Sequence, residues 1–161
     1  MREITLASVL ALAAVTGATA ASQPDTGAPP PYGAPIELDQ AKWVAQAAES
    51  KAETLGLSMV IVVVGPSGDT VILERMRGVS EGSIDIATLK ARSAAMYRTS
   101  TKTMADTRRT GVDFGSFAGA LPVEGGAPLV SGGRIIGGVG VSGGAPDQDG
   151  DIAQAASEAI Q

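Results

Sequence analysis

The chain has 161 residues, a formal charge of -5 at pH 7, 3% aromatic residues, and neither cysteine nor histidine. No disulfide, thiolate metal site, Cys nucleophile or Ser-His-Asp triad can be built from it, and the commonest general base and metal ligand is missing. An acidic chain of this size suits one compact domain and is a poor partner for nucleic acid.

Residues 1–20, MREITLASVLALAAVTGATA, read as a signal peptide. Arg2 gives the positive start, Ile4 to Ala18 the apolar stretch, and Ala18, Thr19 and Ala20 the small residues at a cleavage site. The stretch is short of the ~20 residues a spanning helix needs. A periplasmic or secreted protein without a membrane span is therefore expected. Residues 21–37 follow as a disordered tether, with five prolines and two glycines between Ser22 and Pro35.

The folded domain is expected over 38–161. Leu38, Ala41, Ala45, Ala48, Ala52 and Leu55 recur at helical spacing after the capping residue Asp39, with Trp43 and Val44 widening the apolar face and Gly56 ending the helix. Met59 to Val64 is apolar throughout, the mark of a strand covered on both faces. Pro66 to Asp69 then turns the chain into an antiparallel strand, Thr70 to Met76, on which Arg75 extends an apolar row and calls for an anionic partner.

Ser83 to Arg98 reads as a helix apolar on two sides, Ile86, Leu89, Ser93 and Met96 on one and Ala87, Ala91, Ala94 and Ala95 on the other. One side suits the sheet and the other a second copy of the chain. Thr101 is expected to cap a short helix ending before Gly111, with a loop over Asp113 to Ala120. Gly132 and Gly133 split two strands as a tight hairpin. In the longer one, Ile135, Gly137, Val139 and Val141 form one face and Ile136, Gly138, Gly140 and Ser142 the other. That second face is nearly bare backbone, so a helix or a ligand must come close. A last helix runs from Asp147 to about Ile160. Its Asp147, Asp149, Asp151 and Glu158 echo a calcium loop, but Ile152 stands where that loop needs glycine, and an acidic first turn facing a helix N-terminus accounts for them.

This order of elements resembles the GlcG/HbpS-like family of haem-binding or haem-degrading proteins. The resemblance rests on Gly56-Leu57, Gly68-Asp69, Arg75-Met76 with Gly78, Ser83-Ile84 leading to Lys90-Ala91, Gly125-Gly126-Ala127-Pro128, Ile136 to Gly143, and Asp147 to Ala153. It implies an α/β (α+β) fold, a profilin-like three-layer α-β-α sandwich around an antiparallel sheet of about five strands, assembled into homo-oligomers up to octamers. It also implies haem, or a related anionic ligand, as cofactor, bound for storage, sensing or turnover.

Within that frame the amides of Gly125 and Gly126, with Lys90 and Arg75 as charge partners and Ser93 nearby, are candidates for gripping a carboxylate or a haem propionate. Lys90 is also the candidate catalytic base. For haem iron, Tyr97 and Met96 are the candidate ligands. Two alternatives stand beside haem binding: an enzyme acting on a small carboxylate such as a hydroxy acid, or a ligand-free accessory protein. Convergence of Lys90 and Arg75 on one cavity is the feature that separates them. If Lys90 serves a ligand, Lys90→Ala is expected to weaken binding and leave thermal stability nearly unchanged.

Overall fold

The computed structural model describes residues 28–160. The segment read as a signal peptide and tether residues 21–27 lie outside the described residues. Four helices and four strands follow in chain order: α1 Leu38–Thr54, β1 Val60–Val64, β2 Thr70–Arg75, α2 Ser83–Tyr97, α3 Thr101–Thr107, β3 Gly126–Ser131, β4 Arg134–Ser142 and α4 Pro146–Glu158. The strands form one antiparallel sheet in the order β2-β1-β4-β3. The fold is thus the expected mixed α and β sandwich, with four strands where about five were anticipated.

The valines of β1 are fully buried because both faces of the sheet are covered. On one face Met59, Ile61, Val63, Leu129, Val139 and Val141 pack against α1 and α4 through Ala41, Val44, Ala45, Ala48, Ile152 and Ala156. On the other, Val60, Val62 and Val64 pack against Ala87, Ala91 and Ala95 of α2. Trp43 is 59% exposed, so the α1 core face is narrower than the sequence pattern suggests.

The bare face of β4 lies under α2. A methyl group on Gly138 would stand 2.5 Å from the Ala91 carbonyl oxygen, and one on Gly140 would overlap the Ala87 carbonyl. Helix and strand therefore meet backbone to backbone, with alanines filling the rest. The two isoleucines of β4 depart from strict alternation. Leu129 pairs with Gly137 but Val130 pairs with Ile135, so Ile136 sits in a β-bulge and joins Val139 and Val141 on the α1 and α4 face.

Two caps also sit elsewhere than expected. At α1 the capping position is Glu37, whose N–H is accepted by the Gln40 side chain at 3.2 Å. At α3 it is Ser100, whose hydroxyl accepts the Thr103 N–H at 3.0 Å, while Thr101 is buried. The end of the proline-rich segment is extended but held in place. The Ile135 N–H donates to Pro31 O, and the N–H groups of Gly33 and Ile36 donate to Ile135 O and Ile136 O, each at 2.8 Å. Residues 31–36 thus form an arm along β4, in the position left free beyond the end of β1.

Candidate functional site

Lys90 leaves α2 near the start of β3 and is 1% exposed. Its ammonium donates to Asp149 Oδ2 at 2.6 Å and to Val141 O at 3.0 Å. Asp149, in the first turns of α4, is 3% exposed, and its other oxygen accepts the Gly144 N–H at 2.9 Å. The pair links the helix on one face of the sheet to a helix on the other, and passes Gly125 on the way. A methyl on Gly125 would stand 2.6 Å from the Lys90 nitrogen, and the residue's φ of 122° itself favours glycine.

The structure brings together Lys90, Gly125 and Gly126 and packs them shut, while Ser93, one turn along α2, is buried against a different loop. The Gly126 N–H donates to the buried Thr101 hydroxyl at 2.8 Å. Ser93 donates to Leu89 O at 2.7 Å and accepts the Leu121 N–H at 2.8 Å, fastening the loop after α3. The anion that Lys90 meets is the protein's own Asp149. Arg75 is not part of this group. It lies at the end of the edge strand β2 and binds both oxygens of Glu81, at 2.6 and 2.7 Å. Lys90 and Arg75 do not converge, which removes the shared cavity on which both the expected propionate site at Gly125 and Gly126 and the small-carboxylate enzyme rest.

The C-terminal end of α2 is open instead. Consecutive residues of a helix point about 100° apart, so Met96 and Tyr97 face different clefts. Met96 is 46% exposed and lines an apolar cleft of about 480 Å³ with Tyr32 and Pro35 of the arm and Pro66 and Ser67 of the β1–β2 turn. Arg92, one turn back, and the Met96 sulfur both pack on that turn at Gly68. Arg98 follows α2 in the left-handed region with φ 56°, and its guanidinium lies 5.3 Å from the centre of the Tyr32 ring. Among the described residues neither Arg92 nor Arg98 has a carboxylate within ion-pair distance.

Tyr97 is more committed. Its ring packs against Phe114 and Phe117, centroids 5.7 and 6.2 Å away, and its hydroxyl donates to Ala118 O at 3.1 Å. The cleft beside it, about 430 Å³, is lined by Tyr97, Arg98, Thr103, Thr107 and Phe114 together with Ala28 and Pro29. A third, smaller recess of about 200 Å³ includes Lys102, Glu124, Asp151 and Gln154. There the Glu124 carboxylate, by hydrogen bond and then by charge, holds the Lys102 ammonium above its ordinary range.

The match to a family model begins just after Tyr32 and Pro35 and covers the helices and strands of this arrangement. Residues 36–158 fit the family described as haem degrading protein HbpS-like. The chain belongs to this family. It is 34% identical over 128 residues to an uncharacterised 15.0 kDa protein from the dhaT-dhaS intergenic region of Citrobacter freundii, covering 76% of this chain and 90% of that protein. A double mutant of HbpS from Streptomyces reticuli superposes with a TM-score of 0.75 at 26% identity, over 94% of this chain and 99% of that one. A PduOC haem complex superposes with a TM-score of 0.72 at 29% identity, over 79% and 96%.

Sequence reasoning missed Asp149 as the partner of Lys90, because a helix's first turn explains an acidic residue without one. It also missed Arg92 and Arg98. The only signal for the two arginines was their spacing around Met96, at minus four and plus two.

Proposed function

We propose that this HbpS-like protein binds haem in the apolar cleft at the C-terminal end of α2, with the Met96 thioether toward the iron and Arg92 and Arg98 toward the propionates. The observation that carries the reading is a half-exposed sulfur on an apolar cleft flanked by two guanidinium groups, Arg92 on the Gly68 turn and Arg98 over the Tyr32 ring, that no acidic side chain among the described residues neutralises. The residues fit the group. A volume near 480 Å³ is in the range of small-molecule sites. Tyr32 and the prolines offer apolar wall, and a guanidinium matches a carboxylate with paired hydrogen bonds. Haem, when bound, supplies one-electron and oxygen chemistry. The chain's own part is to hold it, orient it and neutralise its carboxylates. Tyr97 is the weaker iron ligand, because its phenol must give up both a proton and its bond to Ala118 O.

The test is a visible-absorption titration of the purified protein with haem, comparing wild type, Met96→Leu and Tyr97→Phe. A saturable Soret shift altered by Met96→Leu and preserved in Tyr97→Phe is expected. The opposite pattern moves the ligand to the neighbouring cleft, and no shift in wild type refutes haem binding. We further propose that the protein is exported and cut before Ala21, as the sequence of residues 1–20 suggests, and that it assembles through the exposed Leu73, Ile86 and Leu89. Sequencing the N-terminus of the exported product and sizing it by light scattering test those two parts. A strict monomer at micromolar concentration removes the second.

A further inference from the structure

We infer that Tyr32 is a positioning residue for the Met96 cleft, acting through the backbone of α2; the inference rests on the haem reading of that cleft. The last carbonyls of a helix lack partners within it. Here the Tyr32 hydroxyl donates to Met96 O at 2.7 Å, so the residue that carries the sulfur is fixed from outside the helix. The next turn is fixed by the same arm. The Arg98 guanidinium lies over the Tyr32 ring and donates to Pro30 O at 3.3 Å. Arg98 is the one non-glycine residue with positive φ among the described residues. A left-handed arginine persists where its surroundings hold it, and those surroundings are Pro30 and Tyr32.

The arm is anchored in turn on β4. Arg134 donates to Tyr32 O at 3.0 Å, and the backbone bonds of Pro31, Gly33 and Ile36 continue the attachment. Tyr32 is 43% exposed and contributes little to the core. Its ring is instead one wall of the cleft. The cleft is therefore incomplete without the arm, and the position of Met96 is set by residues more than sixty places earlier in the chain.

Three variants test this in one experiment: Tyr32→Phe, which removes the hydroxyl and keeps the ring; Arg134→Ala, which loosens the arm from the β4 side without touching the cleft; and Met96→Leu. Each is titrated with haem by visible absorption, and the haem-free proteins are compared by amide hydrogen exchange. Tyr32→Phe is expected to weaken haem binding roughly three- to tenfold, the worth of one hydrogen bond. It should shift the visible bands toward those of Met96→Leu and speed exchange at Arg98 to Ser100. Arg134→Ala should do the same to a lesser degree, and it carries the test if Tyr32→Phe folds poorly. Wild-type bands and affinity in both Tyr32→Phe and Arg134→Ala, beside an altered Met96→Leu, overturn the positioning role and leave the cleft reading intact. Wild-type bands in Met96→Leu overturn the cleft reading and this inference with it.

Discussion

Replacing Lys90 by methionine keeps most of the side-chain volume and removes the charge. Asp149, 3% exposed, then retains only the Gly144 N–H, and its second oxygen is left facing apolar surroundings and the Val141 carbonyl. Breaking one side of a buried ion pair costs about 3–5 kcal/mol. In a folded domain of this size each kcal/mol is worth roughly 3–5 °C, so the melting temperature should fall by roughly 10–20 °C. The double variant Lys90→Met/Asp149→Leu removes both charges, and a buried pair replaced by apolar residues is often neutral or better, so it should regain most of the loss. Urea denaturation of wild type, Lys90→Met, Asp149→Leu and the double variant gives the coupling energy directly. Haem affinity, measured where Lys90→Met is still folded, should stay within about twofold, because a packed ion pair away from the cleft leaves the ligand's surroundings intact. This reverses the sequence-based expectation for Lys90→Ala. A cost below about 1 kcal/mol, as for exposed pairs, together with a large loss of binding, would refute the packing argument and restore Lys90 as a ligand residue.

Gly140→Ala should cost at least about 3 kcal/mol, since its methyl overlaps backbone atoms of Ala87 and Ala91 and no side chain can move aside. Soluble protein melting within a few degrees of wild type would contradict that packing. Glu74 has its carboxyl pushed above the ordinary range, chiefly by burial and then by the charge of Glu49. The folded state therefore holds the Glu74 proton more tightly than the unfolded chain. Its contribution is full at acid pH below the ordinary Glu value and is lost as pH rises through the raised one. Glu74→Gln should accordingly stabilise the protein at neutral pH by up to about 0.5 kcal/mol, after allowance for solvent screening, and have little effect near pH 3. Equal effects at both pH values would exclude this cause.

Much of the fold was legible because its signals are local and repetitive. The unbroken apolar run of β1, the Gly132-Gly133 turn and the alanine stripe of α2 each specify geometry within a few residues, and the glycine pair Gly138 and Gly140 correctly announces a close neighbour. What was not legible depended on distant partners or on a shift of one residue. The bulge at Ile136 reverses the side of one isoleucine without any mark in the pattern. Trp43 stays outside because the small core face of α1 is already filled by alanines and Val44. At the site, the type of residue was read well but not its counterpart. Arg75 found its anion only six positions away in Glu81, and Lys90 found its own fifty-nine positions away in Asp149, so neither was left for a ligand. Tyr32 belongs to a proline-rich stretch whose composition gives no hint that it would reach across to α2.

The seam between α2 and β4 divides the protein into two regimes of tolerance. On the α1 and α4 side, side chains of different sizes meet, and a change at one position can be absorbed by its neighbours with a small shift of a helix. At the seam there is almost no side-chain layer to absorb anything, since carbonyl and amide groups of Ala87, Ala91 and Ala95 lie directly on Gly138 and Gly140. The helix there keeps a fixed height above the sheet whatever happens in the opposite core. Met96 is the next residue after the last of those contacts, so drift in the opposite core leaves α2 beneath it in place, and the cleft can change only through the arm and the β1–β2 turn that complete it.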